Sequence, residues 1–371
     1  MTDVLIVGGG VIGLSIAYEL AGQGSKVCVL EQGEFGREAS WAGAGILPPG
    51  NPELARGPTA RLRAESHRQW PSLSRELFET TGIDNGFRKC GGISLTFGTE
   101  TESCRKEIDF WRAEGVEVEP LTPAGLSERE PAICDETSAA YRLPDLCQVR
   151  NPRHLKALLA GCAARGVELY SGSPVVDFDC KQVKVVAVRT PTDRHSAGQF
   201  CVAAGAWTRQ LLLTAGVELS IEPVRGQIVL LAVQPPPIRH VIEIGSRYLV
   251  PRSDGRILIG STEETVGFDK SNTAAGVSGL IELATRIVPC LSAAKFERSW
   301  AGLRPETASG LPFLDRVPGM ENLFVAAGHF RSGLQMSPAT ARLMREMILG
   351  QEPTIPLDAF TCDGRSGDRS P

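Results

Sequence analysis

Asp3-Val4-Leu5-Ile6-Val7-Gly8-Gly9-Gly10-Val11-Ile12-Gly13 opens the chain and decides its fold. Residues 3–7 are a short apolar run of strand length, and three glycines follow at once. Apolar positions from 11 to about 24 recur at helical spacing, and residues 26–30 form a second apolar run. That order predicts a βαβ unit. Gly8-x-Gly10-x-x-Gly13 falls where a strand passes into a helix, the setting that a dinucleotide fingerprint requires. Gly8 permits the tight turn, Gly10 lets the backbone approach a pyrophosphate, and Gly13 lets the helix pack on the sheet. Val11 and Ile12 lie in the first helical turn, whose amides and dipole attract phosphate. Glu31 ends the second strand 18 residues past Gly13, where a carboxylate accepts from ribose hydroxyls, and Gln32 follows it. This pattern suits NAD as well as FAD, so other segments must choose.

At 371 residues the chain exceeds the size of one ordinary core, which predicts two domains sharing one site. Its 42% hydrophobic and 22% charged residues are those of a globular protein. A net charge of -4 with no long basic run gives no sign of a nucleic-acid partner. Residues 56–75 concentrate arginines, but interleaved glutamates make that stretch a solvated helix face. Ten cysteines are scattered from Cys28 to Cys362 with no Cys-x-x-Cys pair, the mark of reduced thiols without metal-ligand spacing. No metal is expected. The apolar stretch 4–20 approaches membrane-span length, yet its glycine core argues for a buried βα unit and no transmembrane segment. With no signal peptide legible, the expected location is cytoplasmic.

Along the chain, a Gly- and Pro-rich connection over 43–52 gives way to a helix over 52–81. A strand at 91–97 and a charged helix at 100–115 follow. Asn151 begins a helix over 152–166, with Pro152 in its first turn and Gly166 ending it. Strands are expected at 167–170, 175–178 and 184–188, then at 200–204, running into a turn centred on Gly205. The pattern becomes β over 223–261, with strands at 227–233, 248–251 and 256–260 and a hairpin turn at Ser253-Asp254-Gly255. A helix over 273–288, a strand at 322–326, a glycine-bearing turn at 328–333 and a helix over 337–349 close the order. This is an α/β fold: a discontinuous Rossmann-type domain (1–88, 146–220 and 300–361) with a mixed or antiparallel-sheet substrate domain (89–145 and 221–299). Residues 362–371 read as a flexible tail.

Four further segments choose the cofactor: Ser40-Trp41-Ala42-Gly43-Ala44-Gly45, Ala203-Ala204-Gly205-Ala206-Trp207, Gly302-Leu303-Arg304-Pro305-Glu306-Thr307 and Gly328-His329-Phe330-Arg331-Ser332-Gly333. In this order they resemble the D-amino-acid oxidase family of flavoenzymes, most closely the glycine oxidases of the thiamine pathway, over nearly the whole chain. The resemblance implies FAD. It implies that residues 40–45 pass close to the isoalloxazine ring, where small residues are needed, and that Val175 lies at the adenine. Ala204, Gly205 and Trp207 would border the same site. The turn from Gly328 through Ser332 and Gly333 to Leu334 and Gln335 would face the flavin carbonyl edge. Its amides and helix dipole would stabilise the anionic reduced ring. Without the family, the 40–45 segment reads as a surface loop and Val175 as a core valine. Monomeric sarcosine oxidases, a related group, attach flavin through a late cysteine. Here no cysteine lies between Cys290 and Cys362, so the FAD is expected to be non-covalent.

The same resemblance implies oxidation of a small amino acid, with its carboxylate clamped by arginine and its Cα hydrogen passing as hydride to flavin N5. The resulting imine hydrolyses, and O2 is reduced to H2O2. Such chemistry asks the protein for orientation more than for an acid-base pair. Arg304 is the expected clamp because its planar fork matches a carboxylate; the alternative is a surface or pyrophosphate-pairing arginine. Arg331 is a second carboxylate-side candidate, or else a salt-bridge arginine. Tyr248 resembles the strand tyrosine that offers its hydroxyl to the carboxylate, against a reading as packing. His329 is assigned no proton transfer, and Arg225 is read as structural. The rivals are an FAD dehydrogenase passing electrons to a quinone or carrier, and a sarcosine-oxidase-like demethylating enzyme. An NAD dehydrogenase, which would be colourless, and a flavin-binding protein without turnover remain open too. The resemblance leaves room for a homo-oligomer.

Overall fold

The runs on either side of the triple glycine form β1 (Thr2–Val7), α1 (Val11–Gly22) and β2 (Val27–Leu30) in the computed structural model, which describes residues 1–97 and 101–362. β1 is apolar from Val4 to Val7, where it is buried on both faces. Val4 and Ile6 pack with α1 and the closing helix, whereas Leu5 and Val7 pack with Phe200, Leu211 and Leu212. The first sheet runs in the order Phe313–Arg316, Leu323–Ala327, Ala197–Val202, β1, β2, Glu168–Tyr170, parallel except for its first strand. The start, middle and end of the chain thus build one layer. From β1 the chain goes to β2 on one side and later to Ala197–Val202 on the other. That reversal leaves a crevice at the carboxyl end of β1.

The second sheet has eight strands in the order Lys295–Thr307, Ile221–Ala232, Arg256–Gly260, Arg247–Pro251, Val241–Ile244, Gly92–Phe97, Thr137–Leu143, Glu119–Leu121. It is mixed, with one parallel pair, Val241–Ile244 against Gly92–Phe97. The long strand Lys295–Thr307 crosses the boundary expected between 299 and 300. It pairs with Ile221–Ala232 from Thr307 back to Lys295, so Arg304 stands on this sheet and not in the dinucleotide layer. Its small residues Ala301 and Gly302 hide the strand pattern in the sequence. Three short strands, Ile46–Leu47, Arg88–Lys89 and Cys147–Gln148, stitch the layers together.

Several element ends differ from expectation for local reasons. The helix α2 (Ala39–Ala42) lies inside the stretch read as loop. α3 (Pro58–Thr81) starts at Pro58, not at 52, because Gly57 turns the backbone to a φ of 84° and Pro58 suits the first helical position. Arg61, Arg68 and Arg75 of α3 are exposed while Leu62, Trp70 and Leu77 are buried, the expected solvated face. Asn151 does not cap its helix; it lies inside Asn151–Ala164, and its amide donates to the Ser40 carbonyl at 2.7 Å. Val175 precedes the strand Asp177–Lys181 rather than belonging to it. The closing helix is Gly333–Ile348, four residues earlier than expected. Pro338 cannot donate to Leu334, and the Ser337 hydroxyl takes that carbonyl at 2.9 Å instead. The helix expected from Glu100 is Thr101–Ala113, and Glu100 lies outside the described residues. Cys362 is buried and its amide donates to Asp315, so it belongs to the folded body; residues 363–371 of the expected tail lie outside the described residues.

Trp70 joins these parts. It is fully buried, packs at a tilt against the His154 ring, and donates its indole N–H to the Gln335 carbonyl at 2.9 Å. Trp70→Phe removes the indole donor and leaves a gap where the five-membered ring stood, which costs about 1–3 kcal/mol. Urea unfolding should show the loss as a lower midpoint, with the secondary structure unchanged.

Candidate active site

The crevice at the carboxyl end of β1 deepens into a cavity of about 390 Å³ that runs between the two sheets. From the first sheet come Gly8, Gly10, Glu31, Gln32, Ala204, Gly205 and Trp207, and the first turn of α1 adds Val11 and Ile12. Ser40, Ala42, Gly43, Ala44 and Gly45 form one wall, and Val175 closes the end near Glu31. Gly328, His329, Arg331, Gly333, Leu334 and Gln335 enter from the last turn and helix, and Tyr248 and Arg304 from the second sheet. The sequence segments that lie far apart are therefore brought together. Three expected residues do not line the cavity. Gly13 lies behind it, where an added Cβ would sit 1.9 Å from the Gly8 carbonyl oxygen, so it serves the helix packing. Trp41 turns away to pack edge-on against Trp300, with Arg37 and Arg298 over its ring. Ser332 caps the closing helix from outside, its amide held by the His329 carbonyl.

The fingerprint end has the geometry of an anion and ribose site. A Cβ on Gly8 would lie 2.4 Å from the Ala203 carbonyl oxygen, so only glycine lets the strand end turn there. Two helix N-termini, those of α1 and of Gly333–Ile348, open on the cavity and favour negative charge. Glu31 is buried and accepts from the Gly9 amide at 2.7 Å and the Gly33 amide at 2.9 Å. Each oxygen keeps a further lone pair for a hydroxyl donor. Ser40 accepts from the Val11 amide at 2.9 Å, which fixes the 40–45 wall to the start of α1.

Four groups that sequence reasoning left aside hold that wall. Asn151 takes the Ser40 carbonyl, Trp300 the Ala42 carbonyl at 3.0 Å, and Arg252 the Ala44 carbonyl at 2.6 Å, while the Val149 amide takes that of Gly45. Small residues are required here: a Cβ on Gly45 would meet the Val149 carbonyl oxygen at 2.1 Å, and one on Gly302 would meet Ala42 at 2.5 Å. The result is a flat wall of small residues with its carbonyls turned outward. No sequence motif marks these tethers, because each joins residues more than 100 positions apart.

At the other end Arg304 lies beside Tyr248. Its guanidinium donates to the Ser261 hydroxyl at 2.5 Å and the Thr262 carbonyl at 3.3 Å, and among the described residues it has no carboxylate within ion-pair distance. Burial lowers its pKa from the usual range, and Tyr248 opposes that shift. Gly226 and Gly260 leave the room: a Cβ on Gly226 would fall 2.2 Å from the Arg304 fork, and one on Gly260 2.5 Å from the Tyr248 ring. Arg331 bonds to the Ser246 carbonyl and lies 3.5 Å from Glu263, so it reaches across the cavity mouth to the second sheet. His329 is buried against the Thr340 hydroxyl at 3.0 Å, and burial pushes its imidazole down to about 3. It is neutral at ordinary pH and brings no charge to the cavity. Arg225 pairs with Glu264 and Asp269 away from the cavity, which is the structural role expected of it. None of the ten cysteines is in a disulfide and none lines the cavity. Among the described residues no cluster of metal-ligating side chains is present, and no helix is long and apolar enough to cross a membrane.

The FAD dependent oxidoreductase family, DAO, matches residues 3–347. Glycine oxidase of Pseudomonas putida is 36% identical over 369 residues, covering 98% of this chain and 99% of that protein. Bifunctional protein ThiO/ThiG of Synechocystis is 32% identical over 97% of this chain and 53% of its own length. The crystal structure of glycine oxidase from Geobacillus kaustophilus superposes with a TM-score of 0.94 at 34% identity, covering 98% of this chain and 99% of that one.

The fingerprint, the ribose-side carboxylate and the small-residue wall fit FAD. Glu31→Gln puts an NH2 group against one of two buried amides. The carboxylate's charged hydrogen bond to a ribose hydroxyl is weakened as well, by about 1.5 kcal/mol or more, so FAD affinity measured by fluorescence quenching should fall at least about tenfold.

Proposed function

The chain belongs to the DAO family of FAD-dependent oxidoreductases, and on that premise we propose that it oxidises glycine or another small D- or N-methyl amino acid. For glycine the balance is glycine, O2 and water to glyoxylate, ammonia and H2O2, by way of an imino acid that hydrolyses. When bound, FAD supplies the two-electron redox chemistry between the amine and O2. The observation that carries the reading is Arg304: a half-buried cation in the cavity, beside a tyrosine hydroxyl, with neutral partners only.

The chain's own work is placement. Arg304 offers its fork to a carboxylate, and Tyr248 offers a hydroxyl beside it, so the acid end of the substrate has two points of attachment. A molecule held there by its carboxylate has its Cα directed into the cavity, towards the 40–45 wall. Ile228 and Leu303 supply apolar surface along the way, which strengthens the charged contact by excluding water. Ser261 and the Thr262 carbonyl hold the Arg304 fork before the substrate arrives. Arg331 closes the mouth through Ser246 and Glu263. Neutral His329 and the absence of a lining carboxylate near Arg304 among the described residues agree with a site that orients and leaves proton removal to solvent. Glycine oxidases among the relatives support glycine as first choice, and the ThiO/ThiG relatives support a place in formation of the thiamine thiazole. The scatter of ten cysteines without a Cys-x-x-Cys pair fits a reducing compartment such as the cytoplasm. The cavity wall carries no cysteine, which supports the reading of a non-covalent FAD.

Arg304→Ala should raise KM for glycine about a hundredfold or more, because loss of a bidentate charged pair removes about 3 kcal/mol of binding, while FAD stays bound. Peroxide release over a panel of glycine, sarcosine and D-alanine measures this. An unchanged KM for every member of the panel removes Arg304 from the clamp.

A further inference from the structure

Arg252 is a cation buried against the 40–45 wall, and no carboxylate on the chain is paired with it among the described residues. It follows the strand Arg247–Pro251 and is 6% exposed. Its guanidinium donates to the Ala44 carbonyl at 2.6 Å, the Gln148 side-chain oxygen at 2.6 Å and the Val149 carbonyl at 2.9 Å. All three acceptors are neutral. The surrounding charges do not compensate it: Arg150 and Arg88 oppose it, and Asp254 is already held by Arg150 and Arg256. Burial and those two arginines push its pKa down to about 10, which leaves it charged at neutral pH.

A buried cation satisfied by dipoles alone keeps a long-range positive field. That field reaches the cavity through Ala44, whose carbonyl Arg252 holds and which itself lines the wall. Reduction of FAD adds negative charge to the ring that residues 40–45 are read to border. We propose that Arg252 is the counter-charge of the reduced flavin, a positioning residue that sets the cofactor's potential from behind the wall. The inference rests on that reading of the wall and on FAD, not on which amine is oxidised.

Its test is the two-electron midpoint potential of the FAD-loaded protein, reduced slowly with xanthine and xanthine oxidase against a reference dye, so no amine substrate enters. Arg252→Met removes the charge and should shift the potential to more negative values. The expected change is about tenfold in the oxidised-to-reduced ratio at fixed potential, which is about 30 mV for a two-electron couple. Asp254→Asn removes the carboxylate of the cluster while keeping a good turn residue, and should shift the potential the opposite way. If Arg252→Met does not fold or hold FAD, Arg252→Gln, which keeps an amide donor and removes the charge, decides by the same measurement, with the same negative shift expected. Unchanged potentials in the variants that fold, or shifts of the same sign at the two positions, overturn the proposal and leave Arg252 a mechanical tether. Failure of glycine to react would not move these potentials, so the two readings fail separately.

Discussion

Everything in this molecule depends on the close approach of α1 to β1. A side chain at Gly13 would run into the Gly8 carbonyl at 1.9 Å, and one at Gly8 would run into the Ala203 carbonyl at 2.4 Å. Because both are glycine, the helix packs directly over the strand and points its free amides past the sheet's carboxyl edge. The neighbouring strands end at the same level, so their last residues become the floor of the cavity. Relaxing this contact would move the helix start, and with it Ser40, which the Val11 amide holds.

The second sheet supplies what the first cannot. Dinucleotide layers bind a cofactor but leave one side of it open to solvent. Here a broad mixed sheet stands opposite and brings Tyr248 and Arg304 on adjoining parts of one surface. Glycines at 226, 260 and 302 thin that sheet where the side chains must lie flat. The cost is local strand stability; the long ladder between Ile221–Ala232 and Lys295–Thr307 offsets it. The polar tethers of the 40–45 wall belong to the same logic. Each ties a carbonyl of the wall to a residue from another segment, which makes the wall rigid without adding bulk on the cavity side.

How far the sequence discloses this depends on the range of the interaction. The βαβ unit, Glu31 and the turn at 328–333 are local patterns, and all are found where the spacing puts them. Arg304 and Tyr248 are legible only through family resemblance, and both line the cavity. The 299/300 boundary fails because alanine and glycine conceal a strand whose partner lies some 75 positions away. Trp41 fails for a related reason: a tryptophan in a small-residue loop does pack, but on Trp300 rather than towards the cavity. Asn151 reads as a helix cap and is a tether, since only the folded chain brings Ser40 to it. Arg252 carries no local signal at all; its neutral partners come from two distant segments, at Ala44 and at Gln148 and Val149.

The central claim is that this cavity holds FAD and a small amino acid together in reacting order. Anaerobic addition of glycine to the FAD-loaded protein tests it most directly. The account predicts bleaching of the flavin band in proportion to glycine added, and one H2O2 for each flavin reoxidised when air is admitted. A flavin spectrum unmoved by glycine, sarcosine and D-alanine alike would contradict it.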